Sequence, residues 1–364
     1  MKYKLEDICL KITDGSHYSP SDDISSDIPM LSVKDMEEFD FNYNNCKHIS
    51  EEEYDKMLRN DCVPKLYDVL VSKDGSYLKE MFVNEKETKK AILSSIAIFR
   101  PNQEIVDPYF LCYLLKTPMI LNYVKDNCVS GSALPRIILR DFKGIELEIP
   151  NLEIQKKIVK IIKNINSKIR NDNEINNNLY ELIKNNYETL ISNCDWEKVE
   201  LGIIANITSG KRPIDKLEIG KYPVIGANGV MAHTSEFNFD EDLIVTGRVG
   251  TLGVIKRYSD KIWASDNTLV VQTKYLNYLE NYMKSIDYYS LNRGSTQPLL
   301  TQGDLKKQII MFNEESVLKF EKENQIFINK IRNNEKETKY LEQLRDTLLP
   351  KLMNGEIDLD NIEI

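Results

Sequence analysis

The sequence predicts an α+β protein made of two globular domains of mixed strands and helices, each followed by one long helix. Two observations carry this prediction: a weak internal repeat along the chain, and two long stretches with apolar residues at every third and fourth position. The predicted segments are a first globular domain over 1–150, a central spacer helix over 151–195, a second globular domain over 196–312, and a C-terminal helix and tail over 313–364. A chain of 364 residues has room for two or three domains of about 100–200 residues each.

The internal repeat consists of four segments that recur in the same order. The pairs are Lys4–Gly15 with Lys198–Gly210, Val71–Leu78 with Val245–Leu252, Tyr109–Lys116 with Tyr278–Ser285, and Gly131–Pro135 with Gly294–Pro298. In the last pair the glycine, serine and proline keep one offset of 163 residues. One such match arises easily by chance, whereas four in order indicate a duplicated domain.

Strands are predicted where short apolar runs are bounded by glycine-bearing turns such as Asp74-Gly75 and Asn228-Gly229. The runs are Val69–Val71, Ser95–Phe99, Leu243–Val245, Val254–Ile255 and Thr268–Gln272. A helix is predicted to start at Asp107, because a proline follows it and proline suits the first turn of a helix. Both globular domains therefore mix strands with helices.

Each globular domain is followed by a stretch with the spacing of a coiled coil. The seam positions run from Gln155 to Leu190 in the first copy and from Val317 to Leu352 in the second, with an offset of 162 residues throughout. A repeat of 3.5 residues over about five heptads predicts a helix of about 36 residues in each copy, about 54 Å long.

Polar seam residues coincide in the middle of the two predicted helices. They are Asp172 and Asn176 in the first copy and Asn334 and Thr338 in the second. If the helices pair antiparallel, their midpoints meet and these four residues form one polar layer. Such a layer fixes helix register at a cost in stability. The alternative, equally open, is that a long and partly exposed helix tolerates polar seam residues.

Hydropathy, cysteine content and charge exclude several classes of protein. No apolar run approaches the roughly 18 residues of a membrane span, and the first residues lack the apolar segment of a secretory signal. The six cysteines form no CxxC pair, so we expect buried thiols in a reducing cytoplasm and no metal site. The formal charge of −9 does not exclude nucleic acid, because residues 1–150 carry 19 basic and 26 acidic side chains whereas residues 196–312 carry 14 and 13.

Catalytic signatures are mostly absent from the sequence. The glycines of Gly247–Gly253 do not follow the GxGxxG pattern, and the residues after them resemble a strand where a cofactor-binding turn needs a helix. The segment Asp107-Pro108-Tyr109 lacks the second proline of an adenine methyltransferase loop. We therefore expect no catalysis by this chain, and a stand-alone methyltransferase or nuclease is the rival enzyme class.

Polar loops punctuated by glycine occur at matching places in the two copies. They are Thr13–His17 with Thr208–Arg212, Lys73–Tyr77 with Gly247–Thr251, and Gly131–Arg136 with Arg293–Gln297. Arginine and lysine reach phosphates or guanine edges, and asparagine and glutamine pair with adenine edges. Each loop alone is better explained as a tight turn with solvated side chains, but the repetition of the whole set favours nucleic-acid binding.

Several of these features occur together in one known family. They are the starts of the two halves, Lys4–Gly15 and Lys198–Gly210, the Gly-Ser-x-x-Pro segments at 131 and 294, the helix entry Ile149–Gln155, and the ending Leu344–Ile357. With them the chain resembles the DNA-specificity subunit of a Type I restriction–modification system. It departs from that pattern where Met311–Ser316 leads into the second helix without the usual proline and glutamine. It departs again where Ser72-Lys73-Asp74 stands in place of Gly247-Arg248-Val249-Gly250.

The resemblance implies a non-catalytic subunit that recognises double-stranded DNA. Each globular domain would be a target-recognition domain for one half of a bipartite, asymmetric site. The long helices, antiparallel and related by pseudo-twofold symmetry, would space the halves. Two modification subunits would bring S-adenosylmethionine and methylate adenine N6, and restriction subunits would bring ATP-driven translocation and cleavage. This chain would hold no cofactor, and alone it would bind DNA weakly.

The resemblance also directs attention to polar residues of the repeated loops as candidate DNA contacts. They are His17, Lys73, Tyr77, Ser132 and Arg136 in the first domain, and Lys211, Arg212, Asn228, Arg248, Arg293 and Gln297 in the second. The sequence does not assign which of them contact bases and which contact phosphates. Two alternatives stay open: the recognition subunit of a methylation-only or related restriction system, and a coiled-coil scaffold that binds only protein.

Overall fold

The structure is a computed structural model, and it describes residues 1–74, 78–130, 136–193, 195–294 and 296–359. The chain divides into two compact units. The first unit comprises residues 1–170 together with the chain from 338 onward, and the second comprises residues 171–337. Each unit therefore contains one globular domain and a part of both long helices. The bounds of the four predicted segments stay a prediction.

The strands are short, and they form two series. In the first unit they are β1 (Lys2–Lys4), β2 (Cys9–Asp14), β3 (Ile28–Leu31), β4 (Lys47–Ile49), β5 (Val69–Ser72), β6 (Met81–Val83), β7 (Ala91–Ile92), β8 (Ile96–Pro101), β9 (Val129–Ser130), β10 (Arg136–Ile137) and β11 (Glu146–Glu148). In the second unit they are β12 (Glu197–Glu200), β13 (Asn206–Ser209), β14 (Tyr222–Gly226), β15 (Gly229–Thr234), β16 (Leu243–Gly247), β17 (Ile255–Tyr258), β18 (Trp263–Ala264), β19 (Thr268–Gln272) and β20 (Ile309–Phe312).

The helices include two that are far longer than the rest. They are α1 (Leu5–Ile8), α2 (Glu51–Arg59), α3 (Pro108–Leu115), α4 (Pro118–Asn127), α5 (Leu139–Lys143), α6 (Leu152–Ser192), α7 (Leu201–Ile204), α8 (Leu276–Ser285), α9 (Gln302–Lys306) and α10 (Glu314–Met353), with a 3-10 turn at Val33–Asp35. The predicted strand runs coincide with β5, β8, β16, β17 and β19, although the run at 254–255 overlaps β17 only at its last residue. Asp107 caps α3 as predicted, because its carboxylate accepts from the N–H of Tyr109 and Phe110.

Sheet topology repeats between the two units. A four-stranded antiparallel sheet has the order β2-β8-β5-β6 in the first unit and β13-β19-β16-β17 in the second. A three-stranded sheet has the order β4-β3-β7 in one and β15-β14-β18 in the other, and its last pair is parallel in both. The ends of each globular domain pair as β1 with β11 and as β12 with β20. The predicted internal repeat is confirmed as a repeat of topology.

Each unit has its own aromatic core. In the first unit Phe99 and Phe142 are fully buried, and their rings stack with centroids 5.2 Å apart. In the second unit Tyr278 is fully buried and stacks on Trp196 with centroids 6.2 Å apart. Burial of a phenylalanine side chain stabilises a fold by about 1.5–3 kcal/mol relative to its exposure. These cores hold each four-stranded sheet against its own helices, and so they fix the loops at the sheet ends.

The long helices follow the predicted seam. Every seam position from 155 to 190 on α6 and from 317 to 352 on α10 is buried or half-buried. In the second unit Asn334 Nδ2 donates to Asn176 Oδ1 at 2.8 Å, and Asn186 Nδ2 donates to Asn324 Oδ1 at 2.9 Å. Partner numbers rise along one helix and fall along the other, so the two helices run antiparallel within this unit.

The same direction holds in the first unit. There Arg345 Nη1 donates to Asn166 Oδ1 at 3.3 Å, and Lys157 Nζ donates to the main-chain oxygen of Leu359 at 3.1 Å. Pro350 lies inside α10 near its end, and the helix stops at Met353 before Gly355, whose φ is +69°. In the described part of the chain no helix combines the length and the apolar character needed to cross a membrane.

Both long helices begin at an asparagine. Asn151 Oδ1 accepts from the N–H of Ile154 at 3.0 Å, and Asn313 Oδ1 accepts from the N–H of Ser316 at 3.0 Å. An asparagine that accepts from the third residue after it is a favourable helix N-cap. The second helix therefore starts at a defined cap even though it lacks the proline before the first helix and the glutamine near the start of that helix.

Candidate nucleic-acid interface

The loop after β13 is anchored by main-chain hydrogen bonds. The N–H of Gly210 donates to the oxygen of Thr268 at 3.1 Å, and the N–H of Lys211 donates to the oxygen of Ala264 at 2.9 Å. The backbones lie so close that a Cβ on Gly210 would be 2.1 Å from the oxygen of Ser265, which explains the glycine. With the backbone held in this way, the side chains of Lys211 and Arg212 are exposed to solvent.

The loop after β16 connects to the loop before α9. The N–H of Arg248 donates to the oxygen of Asn267, and the oxygen of Arg248 accepts from the N–H of Leu300, both at 2.8 Å. Gly250, with φ of +86°, donates its N–H to the oxygen of Pro298 at 3.0 Å. These bonds bring Arg248 and the exposed side chain of Gln297 to the same edge of the second unit.

The turn between β14 and β15 joins this edge. A Cβ on Gly247 would lie 3.0 Å from Cβ of Ala227, so the turn packs against the loop after β16. The side chain of Asn228 is exposed at the tip of the turn, and its main-chain oxygen accepts from Lys256 Nζ at 3.1 Å. Lys256 was not among the predicted contacts, although its position next to a repeated loop could have suggested it.

The cations of this edge differ in how strongly they are bound within the protein. The Arg248 guanidinium donates only to the main-chain oxygen of Asp266, at 3.3 Å, among the described residues. The Arg293 guanidinium instead pairs with Asp304 at 2.8 Å, and this cation lowers the pKa of the Asp304 carboxyl to about 2. Arg293 is exposed, but part of its donor capacity is already used by that carboxylate.

The first unit repeats the same main-chain bonds. The N–H of Gly15 donates to the oxygen of Ile96 at 3.1 Å, and the N–H of Ser16 donates to the oxygen of Ile92 at 2.8 Å. A Cβ on Gly15 would lie 2.3 Å from that same oxygen of Ile92. The N–H of Lys73 donates to the main-chain oxygen of Ser95 at 2.9 Å, and the main-chain oxygen of Lys73 accepts from the N–H of Ile137 at 3.1 Å.

These bonds align the two units residue by residue. Lys73 corresponds to Arg248, because both use their N–H and their oxygen in the same way. By the bonds around the repeated glycine, Ser16 corresponds to Lys211 and His17 to Arg212. Since Gly15 corresponds to Gly210, the residues directly before them, Asp14 and Ser209, correspond as well.

The side chains of the first unit are arranged differently from those of the second. Lys73 is buried, and its ammonium forms an ion pair with Asp14. Nε2 of His17 lies 3.2 Å from the other carboxylate oxygen of Asp14, and the His17 side chain is 76% exposed. The structure thus brings His17 and Lys73 together on Asp14, which sequence reasoning missed. In this structure Lys73 presents little surface to a ligand, and its contact with DNA stays a prediction.

The remaining predicted residues of the first unit belong to two repeated loops, Lys73–Tyr77 and Gly131–Arg136. Tyr77 and Ser132 lie outside the described residues, and Arg136 is described only through its backbone in β10.

Of the seam residues, Asn176 and Asn334 are buried and hydrogen-bonded to each other. Asp172 is fully buried on α6 and Thr338 is half-buried on α10. A single layer of all four residues stays a prediction.

Metal binding receives no support from the side-chain geometry. Within residues 1–74, 78–130, 136–193, 195–294 and 296–359, no three His, Cys, Asp or Glu side chains are grouped so that they could hold a metal ion. The arrangement at the edge of the second unit is instead one of exposed ammonium, guanidinium and amide groups. These are the groups with which proteins contact phosphates and base edges.

Comparison with known proteins gives matches over most of the chain. The family described as Type I restriction modification DNA specificity domain matches twice, over residues 1–181 and 193–346. The specificity subunit of the Type I restriction enzyme MjaIX from Methanocaldococcus jannaschii is 25% identical over an alignment of 387 positions, gaps included, which covers 92% of this chain and 88% of that protein.

Two solved structures are also similar. The S subunit of a Type I restriction–modification system from M. genitalium has a TM-score of 0.59 at 17% identity, with 97% of this chain and 95% of that chain covered. The HsdS subunit from Thermoanaerobacter tengcongensis has a TM-score of 0.40 at 15% identity, with 98% and 97% covered. The first of these supports the fold, and the double family match agrees with the duplicated topology. The chain belongs to the Type I restriction–modification DNA specificity family.

Proposed function

We propose that this chain is the DNA-recognition subunit of a Type I restriction–modification complex, in which each globular domain binds one half of a bipartite, asymmetric site. One observation carries the proposal: the four main-chain bonds made by Gly15, Ser16 and Lys73 in the first unit have counterparts at Gly210, Lys211 and Arg248 in the second, where the loops that they anchor present cations and amides. A scaffold that binds only protein has no need of this duplicated arrangement. Family membership supports the same function.

Within the second unit, the exposed groups divide by chemistry. Lys211 and Arg212 follow a tightly held glycine and point to solvent, which suits contact with phosphates. The half-buried Arg248 and the exposed Asn228 and Gln297 combine a guanidinium with two amides, which suits hydrogen bonds to guanine and adenine edges in the major groove. Phosphate contacts would set the position of the unit on the duplex, and base contacts would set its sequence preference.

We assign the spacing of the two half-sites to the long helices. The helices have 41 and 40 residues, so each is about 60 Å long at 1.5 Å per residue. Half-sites on one face of a duplex repeat about every 34 Å. A helix of this length is therefore long enough to define such a separation.

Catalysis is assigned to partner subunits. Two modification subunits would bind S-adenosylmethionine and methylate adenine, restriction subunits would use ATP, and this chain would supply neither cofactor nor catalytic group. A complex that only methylates would use the same recognition chemistry, so it is a second form of the same proposal. The protein-only scaffold is the candidate of a different class.

Selection from random DNA tests the proposal. The chain is produced together with the modification subunit encoded with it, and the complex is incubated with a pool of random-sequence duplexes that are then sequenced. We expect enrichment of two half-sites separated by a fixed gap. A complex that assembles but enriches no sequence would support the scaffold instead. Transfer of methyl groups from labelled S-adenosylmethionine by this chain alone would contradict its assignment as non-catalytic.

A further inference from the structure

One position separates the two otherwise matching loop frameworks. Before the tightly packed glycine, the first unit has Asp14 and the second has Ser209. Ser209 carries no charge, and its Oγ accepts from Gln302 Nε2 at 2.8 Å. The corresponding cations therefore meet different partners: Lys73 meets a carboxylate, whereas Arg248 meets a main-chain oxygen and has no ion pair among the described residues.

The carboxylate of Asp14 uses both of its oxygens. One pairs with the Lys73 ammonium, and the other lies 3.2 Å from His17 Nε2. The Lys73 side chain is only 8% exposed and that of Asp14 is 16% exposed, so the pair is largely shielded from water and from salt. An ion pair removed from solvent in this way holds its partners in place, because separation leaves a buried charge without compensation.

We propose that Asp14 is a positioning residue that withholds Lys73 from the DNA backbone and thereby weakens the electrostatic contribution of the first unit to binding. The proposal rests on the DNA-recognition function assigned above. Asp14 takes the place that a phosphate would occupy on the ammonium. Since the second unit has serine there, its corresponding arginine stays available.

The physical consequence concerns the dependence of binding on salt. A lysine that contacts a phosphate releases condensed counterions, and each such contact adds about 0.9 to the steepness of log affinity against log salt concentration. A lysine held by a protein carboxylate adds nothing to that slope. Removal of the carboxylate should therefore increase the slope as well as the affinity, which a merely structural role of Asp14 would not do.

The test uses the complex of the full chain with its modification subunit, and a duplex that carries the sequence enriched from the random pool. Binding is measured by fluorescence anisotropy from 50 to 200 mM salt, a range over which phosphate contacts are strongly screened. For Asp14→Ser, which copies the second unit, we expect binding about tenfold tighter at the low end and a slope steeper by about 0.9. Asp14→Asn keeps the shape of the side chain and is expected to change both quantities in the same direction.

A second substitution shows whether the effect passes through Lys73. In the Asp14→Ser, Lys73→Ala double variant we expect the added slope to disappear. Circular dichroism and thermal melting of each variant show that the chain is folded. The proposal is overturned if both Asp14 variants fold and leave the slope unchanged. It is also overturned if Lys73→Ala flattens the slope of the unsubstituted chain as much as it flattens that of Asp14→Ser. Absence of any binding by the unsubstituted complex would instead count against the recognition function itself.

Discussion

The two units share a backbone but differ in what their loops display. Both use the same sheet order and the same main-chain bonds around a glycine whose Cβ, if it had one, would lie 2.3 Å or less from a main-chain oxygen. The second unit exposes Lys211 and Arg212 where the first has Ser16 and His17. The difference shows that the repeated bonds fix the course of the loops, while the side chains they carry are free to diverge. Two units on one scaffold can thus recognise different sequences.

The largest expected effect concerns the shared scaffold. Gly210→Val or Gly15→Val places a Cβ within 2.1 or 2.3 Å of a main-chain oxygen, so the backbone must move and we expect each variant to lose about 3 kcal/mol of stability. Gly303→Ala, whose Cβ meets nothing closer than 3.8 Å, is the matched control and should stay within about 1 kcal/mol of the parent chain. Urea denaturation followed by circular dichroism measures these changes. Equal stability of the Gly210 variant and the control would contradict the conclusion that the scaffold needs glycine.

A smaller effect is expected for the buried amide pair of Asn176 and Asn334, which lies on the helix seam of the second unit. Asn334→Ile leaves the Asn176 amide buried without its partner, which we expect to cost about 2 kcal/mol. Replacing both Asn176 and Asn334 with isoleucine should recover this loss and raise the melting temperature above that of the parent chain. Differential scanning calorimetry of the single and double variants measures the change. A double variant less stable than the single one would contradict the prediction that the buried amide pair costs stability relative to two isoleucines.

The helix after the last strand of the four-stranded sheet is capped by a carboxylate in both units, but the carboxylate comes from a different place in the chain. Asp107 caps α3 from its own N-terminus, whereas the N–H groups of Asn277 and Tyr278 at the start of α8 donate to Glu321, which lies on α10. Burial raises the pKa of Glu321 to about 7, against the hydrogen bonds from those two N–H groups, which lower it.

Because the pKa of Glu321 is higher in the folded than in the unfolded chain, the folded state binds more protons between about pH 4.5 and pH 7. This group should therefore stabilise the second unit at pH 5, and the contribution should fall by about 1–3 kcal/mol as the pH rises to 8. Glu321→Gln removes the titration. We expect its free energy of unfolding to fall less over that range than that of the parent chain. Parallel curves for the two proteins would refute the role of Glu321.

Sequence patterns predicted the structure correctly where a feature depends on neighbouring residues or recurs in both copies of the repeat. The seam from 155 to 190 and from 317 to 352 could be predicted because burial on a helix imposes a period that is visible in one chain. Asn151 and Asn313 carry the same offset of 162 as the seams, so comparison of the two copies could also have found both helix caps. Gly15 and Gly210 were found as members of a repeat, and the structure adds the close approach that requires them.

Sequence patterns failed where a side chain depends on a distant partner. Lys73 is a residue type that often contacts DNA, but it forms an ion pair with Asp14, 59 positions earlier in the chain. No periodic pattern in the sequence links two residues so far apart. The cap of α8 by Glu321 spans 43 residues and two elements for the same reason. Such pairs are set by tertiary packing, which decides whether a charged group meets solvent or another protein group.

The smallest expected effect concerns Lys211 and Arg212, the exposed cations at positions where the first unit has Ser16 and His17. Lys211→Ala should weaken binding of the complex to all duplexes alike, because a phosphate contact carries no sequence information, and should flatten the salt slope by about 0.9. Lys319→Ala is the matched control: it removes the same charge from an exposed lysine on α10, outside the loops. Anisotropy titrations with the enriched duplex and with an unrelated duplex measure both variants. A flatter slope only on the enriched duplex would place Lys211 on a base edge instead. An equal change for both variants would mean that total charge, and not the loop, determines the difference between the two units.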